Sequence, residues 1–319
     1  MKFVRNQLAR ASALAMMVGF VALGCGDDAA SASASARGSV QVFVEPEDTI
    51  PEGLEPGVGD ENVKDGWAVR YDRYLITIGN VRASRSDAPG ESLVEPSVYV
   101  LDLKNAPAGG YVIASFADAQ AVRWDKLGWD IPNAKPGAKA LPPTSNADLE
   151  MMTTKGYSLY VEGTLTKADG QSCTPGATPA ACVAATSVRF AWGVQAGVSF
   201  DDCANEEGVP GFAVPAGGTV QVKPTVHGDH WFFSNLTSGA EVTERLAQWV
   251  ADCDLDHDGE TTLDELTSVR AADVFPRPPY DLSGSLSPIT TAFDYLLNQS
   301  RTLGDYNGDG ECPTRQLLP

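Results

Sequence analysis

Positive charge is scarce in this chain: 23 lysines and arginines face 42 aspartates and glutamates, a formal net charge of −19. A polyanion of that strength does not hold nucleic acid or anionic lipid by charge, so nucleic acid is excluded as a partner. Histidine is scarcer still, at three residues. The signatures of common enzymes are missing too: there is no Gly-x-Ser-x-Gly elbow, no Gly-x-x-x-x-Gly-Lys-Ser/Thr loop, no His-Glu-x-x-His and no Cys-x-x-Cys. The chain reads as non-enzymatic. Its N-terminal apolar run, Ala11 to Leu23, is too short to span a bilayer.

That run is preceded by Lys2, Arg5 and Arg10, the layout of a secretory signal. It ends in Ala22-Leu23-Gly24-Cys25, which resembles the bacterial lipobox, with Ala22 in place of the usual leucine. The resemblance implies a signal peptide over 1–24, lipidation of Cys25, and a bacterial envelope protein held to a membrane by its N-terminal lipid. Ordinary cleavage near Ala30-Ser31-Ala32 is the alternative. The Ser/Ala-rich segment 25–38 then serves as a flexible tether. Loss of the three signal cations takes the charge to −22. About 290 residues remain, enough for one large domain or two modest ones. With Cys25 lipidated, Cys173, Cys182, Cys203, Cys253 and Cys312 are left in an oxidising compartment. Five is odd, so at least one stays unpaired within the chain. Cys173 and Cys182 flank a Pro/Gly/Ala loop and are expected to staple it. Cys203 with Cys312 is the bridge expected to tie the tail to the rest.

From Ser39 to Asn235 short runs rich in Val, Tyr, Thr and Trp alternate between turn residues. Leu159, Val161, Gly163 and Leu165 share one parity, as do Val188, Phe190, Trp192 and Val194. Trp67 to Val81 changes parity, from Trp67, Val69 and Tyr71 to Tyr74, Ile76 and Ile78, which predicts a bulge near Asp72 and Arg73. The pattern predicts a mainly β fold, an antiparallel β-sandwich over 39–235, with only Asn146 to Thr153 helical. Trp67 and Trp192 lie on apolar parities, which favours core packing over a carbohydrate platform.

After Asn235 the period changes from two to 3.6. Val242, Leu246, Trp249 and Val250 make one helical face; Leu263, Leu266 and Val269 another. Between them, Asp254, Asp256 and Asp258 stand at positions 1, 3 and 5 of a twelve-residue loop, with Gly259 at 6, Glu260 at 7, Thr262 at 9 and Glu265 at 12. Oxygen ligands at that spacing wrap one hard cation. Ser287-Pro288 then reads as the start of a further helix carrying Ile289, Phe293 and Leu296, which leads into Asp305, Asn307, Asp309 and Glu311. These begin like a second loop, but position 12 falls on Gln316. The tail resembles the EF-hand family, which implies calcium, two mutually paired loops, and a small helical domain over 236–319. Outside the cytoplasm such an ion acts as a staple rather than a signal.

Two of the three histidines sit in Val226-His227-Gly228-Asp229-His230. Zinc or copper would accept these ligands, although residues i and i+3 of an extended strand point to opposite faces. A hydrogen-bonded corner is the alternative. The whole mature chain resembles uncharacterised bacterial lipoproteins in which a β-domain ends in His-Gly-Asp/Glu-His before an EF-hand. The order of the Trp67-to-Val81 strand, Tyr99-Val-Leu-Asp102, Met151-Met152 and Phe190-Ala-Trp192 ending at Cys203 is similar to copper-binding surface proteins linked to methanobactin. No copper ligand carries over from them residue by residue. The reading from sequence is a lipid-anchored, calcium-binding envelope protein whose β-domain binds an envelope protein or ligand. The alternative is a copper or zinc protein using His227 and His230.

Overall fold

The strand Ala68–Ser84 is the axis of the larger sheet. One edge pairs antiparallel with Leu159–Thr166 and then Lys126–Ile131, the other with Ser92–Asp102. The register against Leu159–Thr166 slips between Tyr71 and Arg73, where the parity change predicts a bulge. The extra residue lets Val69 and Tyr71 on one side, and Tyr74, Ile76 and Ile78 on the other, all enter the core. This computed structural model describes residues 36–236 and 243–317. The proposed signal 1–24, Cys25, most of the tether and Val242 lie outside them.

The smaller sheet is built on Arg37–Pro46. That strand pairs antiparallel with Tyr111–Gln120 but parallel with both Thr219–Val222 and Pro224–Val226, and Gly304–Tyr306 adds antiparallel beyond the latter. The fold is mainly β as expected, but its sheets are mixed rather than antiparallel. Alternation reports which face of a strand is buried and carries no information on its direction. Parallel partners also need a long crossover, and here nearly the whole larger sheet lies between them in the chain.

The helical segment expected at Asn146 forms as Asn146–Lys155, capped by the Ser145 hydroxyl and closed by Gly156 at φ 65°. The tail differs from expectation. Its helices are the short segments Gln248–Asp252, Leu263–Ser268, Ala271–Val274 and Ala292–Gln299. The last begins after Thr291 rather than Ser287-Pro288, because Thr291 and Asp294 form a capping box. Among the described residues the tail shares the core of the sheets. Trp249 and Tyr295 of the tail belong to the same buried cluster as Trp192 of the sheet, with the Trp192 and Trp249 rings 6.1 Å apart. All six tryptophans are buried, which removes the carbohydrate platform.

Cys173 and Cys182 join the two strands of a hairpin, and Cys203 joins Cys312, 109 residues on. Cys253 is free and buried, its thiol pushed up by burial. Two disulfides fit an exported protein. No helix among the described residues is long and apolar enough to cross a membrane.

Loop-closure entropy grows with loop length, so the two bridges differ in weight. Replacing Cys203 and Cys312 by alanine is expected to cost about 5 kcal/mol, against about 2.5 for Cys173 and Cys182. Urea unfolding midpoints of the two double variants check this; a larger loss from the short loop would contradict it.

Candidate metal centre

Three adjacent strands end at the site, and their register assembles it. Pro46 lies opposite Val226 in the parallel pair, and the Glu47 amide donates to the Val226 carbonyl at 2.9 Å. On the far side Val226 faces Gly304, and the His227 amide donates to the Leu303 carbonyl at 2.9 Å. Glu47, His227 and Asp305 therefore stand side by side. The imidazole of His227 bridges the two carboxylates, with Nδ1 3.0 Å from Glu47 Oε2 and Nε2 3.0 Å from Asp305 Oδ2.

The strand stops at Val226, and the chain turns through Gly228 and Asp229 into the one-turn helix His230–Phe232. A Cβ at position 228 would lie 2.8 Å from the Ile50 side chain and 3.1 Å from the Tyr71 ring, so only glycine lets the turn sit this close. The Tyr71 hydroxyl donates to the Gly228 carbonyl and that of Tyr74 to the His227 carbonyl; Trp231 Nε1 donates to Tyr74 Oη. The turn brings the two histidines together: their rings stack with centroids 4.6 Å apart and planes 21° apart. A strand places i and i+3 on opposite faces, but a one-turn helix does not.

His230 Nδ1 faces the Thr302 carbonyl, which can only accept, so the ring proton is on Nδ1 and Nε2 carries the lone pair. His227 Nδ1 is likewise held by Glu47, itself fixed by the Thr49 hydroxyl at 2.8 Å. His227 Nε2 is buried against Asp305, 3.0 Å from its Oδ2. Ligand atoms of His227, His230 and Asp305 lie within 4.8 Å of one another. Two imidazole nitrogens and a carboxylate oxygen form a donor set that fits a borderline metal. Asp229, just behind, is tied to Arg245 Nε at 2.6 Å. A cavity of about 590 Å³ opens over the group.

The Asp254–Glu265 loop is well formed. Asp254 is buried and accepts from the amides of Asp258 and Gly259 at 3.1 and 3.0 Å, while Asp258 accepts from Glu260 at 2.9 Å. His257 and Gly259 take positive φ to make the turn. Carboxylate oxygens of Asp254, Asp256 and Asp258 lie within 4.8 Å of one another. Burial and the charges of Glu265 and Asp258 push the Asp254 carboxyl up, against hydrogen bonds from Gly259 and Asp258. Glu265 accepts from Thr262 N and Oγ1 and from Leu255 N, which closes the loop.

The loops do not pair with each other. Glu260–Thr261 joins the larger sheet beside Ser187–Val194, and Gly304–Tyr306 joins the smaller one. The second loop is drawn apart: Asp305 goes to His227, Asn307 accepts from Lys223 N at 3.1 Å, and Asp309 and Glu311 are exposed at the cavity. Asp305 thus belongs with the histidines, and Glu47 joins them from a strand end far off in sequence, with no local motif to mark it.

Burial would lower the His227 pKa, but Asp305 and Glu47 outweigh it and raise it from 6.5 to about 11. Burial opposes the change at Glu47 too, yet His227 and Thr49 bring it from 4.5 down to about 2. Burial pushes His230 down, which favours its neutral form. A raised histidine stabilises fully below its unfolded value and loses that as pH rises; a depressed carboxylate stabilises above its unfolded value and loses that as pH falls. Both contributions are complete only between pH 4.5 and 6.5. In metal-free protein the coupling between Glu47→Gln and His227→Gln, read by urea unfolding, is expected to peak in this window and to fade by about pH 11. Coupling that persists at high pH would refute the ion pair.

No protein-family model matches the chain, and no curated protein matches it. The EF-hand family is therefore not assigned. Among solved structures, MbnP from Methylosinus trichosporium is similar over 69% of this chain and 86% of its own, at 9% identity and a TM-score of 0.28. At that distance the likeness carries no argument about function.

Proposed function

We propose that this chain is an exported metal-binding protein whose working site is His227, His230 and Asp305, taking a first-row transition metal of the copper or zinc class. The observation that carries the reading is the convergence of ligand atoms of His227, His230 and Asp305 beneath the cavity, with the Nδ1 of each imidazole already held from behind. Metal-binding histidines characteristically have the other ring nitrogen held this way. Two imidazoles and a carboxylate favour copper and zinc over earlier metals. His227 must give up a proton to bind, so affinity rises with pH.

The histidine site stands ahead of the calcium loop because its donors are anchored from behind and face a cavity. The Asp254–Glu265 loop supports a second reading, with calcium as a structural staple between the tail and the edge of the larger sheet. Its support is the convergence of three carboxylates on a loop whose amides already point inward. Anchoring through Cys25 to a bacterial envelope belongs to the same proposal and rests on the lipobox resemblance.

Elemental analysis of protein purified without added metal is expected to find stoichiometric copper or zinc, lost in His230→Ala. Glu47→Gln should keep the ligands but weaken affinity by roughly 10–100-fold. Absence of metal from the wild type, or full retention in His230→Ala, would overturn the site. Isothermal titration should show calcium binding with Kd near 10⁻⁴ to 10⁻³ M, on the order of other extracellular modules, and abolished by Glu265→Ala. A flat trace removes the second reading.

A further inference from the structure

The cavity over the histidines holds two arginines in contrasting states. Arg245 is neutralised, reaching Asp229 at 2.5 Å and Glu61 at 2.6 Å. Arg301, just past the helix Ala292–Gln299, is 7% exposed and makes no ion pair among the described residues. Its partners are two neutral amides: Gln316 Oε1 at 3.1 Å and Asn298 Oδ1 at 3.5 Å. The Asn298 oxygen is shared with the amides of Leu286 and Ser287, so it satisfies Arg301 poorly. A guanidinium has five N–H donors, and leaving one buried without an anion is costly. Burial accordingly pushes the Arg301 pKa down. The other carboxylates at the cavity are committed or exposed: Glu47 and Asp305 face His227, while Asp309 and Glu311 are exposed.

Arg301 also adjoins Thr302, whose carbonyl orients His230, and it lies shortly before Asp305 in the chain. Three protein ligands leave a transition metal with an open position. A cavity of about 590 Å³ falls in the range that holds small ligands.

We infer that the cavity binds a small dicarboxylate, one carboxylate forked on Arg301 and the other completing the coordination of the metal. The proposal rests on the metal reading above for its second contact, and on Arg301 alone for its first. Planar guanidinium matches carboxylate in a bidentate pair that lysine cannot reproduce. Recognition from both ends explains why a strongly acidic protein keeps a buried cation without a partner of its own.

Succinate titrated calorimetrically at constant ionic strength into the metal-loaded protein is expected to bind saturably. In Arg301→Gln it should bind at least about tenfold more weakly, with metal content unchanged. Arg301→Lys, which keeps the charge and loses the fork, should fall between and serves as the comparison if the glutamine variant does not fold. No saturable binding to the metal-loaded wild type, or equal binding by Arg301→Gln, overturns the proposal. If the wild type takes up no metal, the metal reading fails separately. The same titration of metal-free protein then decides the anion site: Arg301-dependent binding supports it and no binding overturns it.

Discussion

The parallel pairing of Arg37–Pro46 with Pro224–Val226 is the constraint on which the site depends. It brings Glu47 to His227 across 180 residues of chain, and the antiparallel partner Gly304–Tyr306 delivers Asp305 to the other side. Backbone hydrogen bonds set this register, so the carboxylates do not have to find the imidazole by side-chain flexibility. A one-residue slip in either pair would turn Glu47 or Asp305 to the opposite face. Buried aromatics then hold the turn that follows, because Tyr71 and Tyr74 occupy the carbonyls of Gly228 and His227.

Electrostatics inside this frame work in two directions. Without metal, the imidazole of His227 is kept charged by its two carboxylates, and the corner behaves as a buried ion pair. In the proposed metal-bound form Glu47 would hold the ring from behind and Asp305 would serve as a ligand. The Cys203–Cys312 bridge lies a few residues beyond Asp305 and closes the segment that supplies it. The Asp254–Glu265 loop is set apart, its short strand committed to the larger sheet.

Much of the β-domain was legible from parity. The bulge at Tyr71–Arg73, the buried faces of Leu159–Thr166 and Ser187–Val194, and the helix at Asn146 all follow from local alternation and capping, which depend on neighbours in sequence. Strand direction was not legible, because burial alternates identically in parallel and antiparallel pairs. The tail was read less well: Asp305, Asn307 and Asp309 have the spacing of a calcium loop, yet spacing alone cannot say whether a stronger partner stands nearby. For Asp305 that partner is His227, and for Asn307 it is the Lys223 backbone.

By itself the sequence determined the acidic character, the mainly β pattern, the oxygen-rich loop from Asp254 to Glu265 and the presence of a His-Gly-Asp-His segment. These are properties of composition and short-range order. Only the tertiary structure decided that the two histidines stack, that Glu47 and Asp305 complete their surroundings, and that Arg301 lies buried with no counter-ion among the described residues. The physical reason is common to all three: each depends on the register of strands, or the burial of a group, that are brought together from distant parts of the chain.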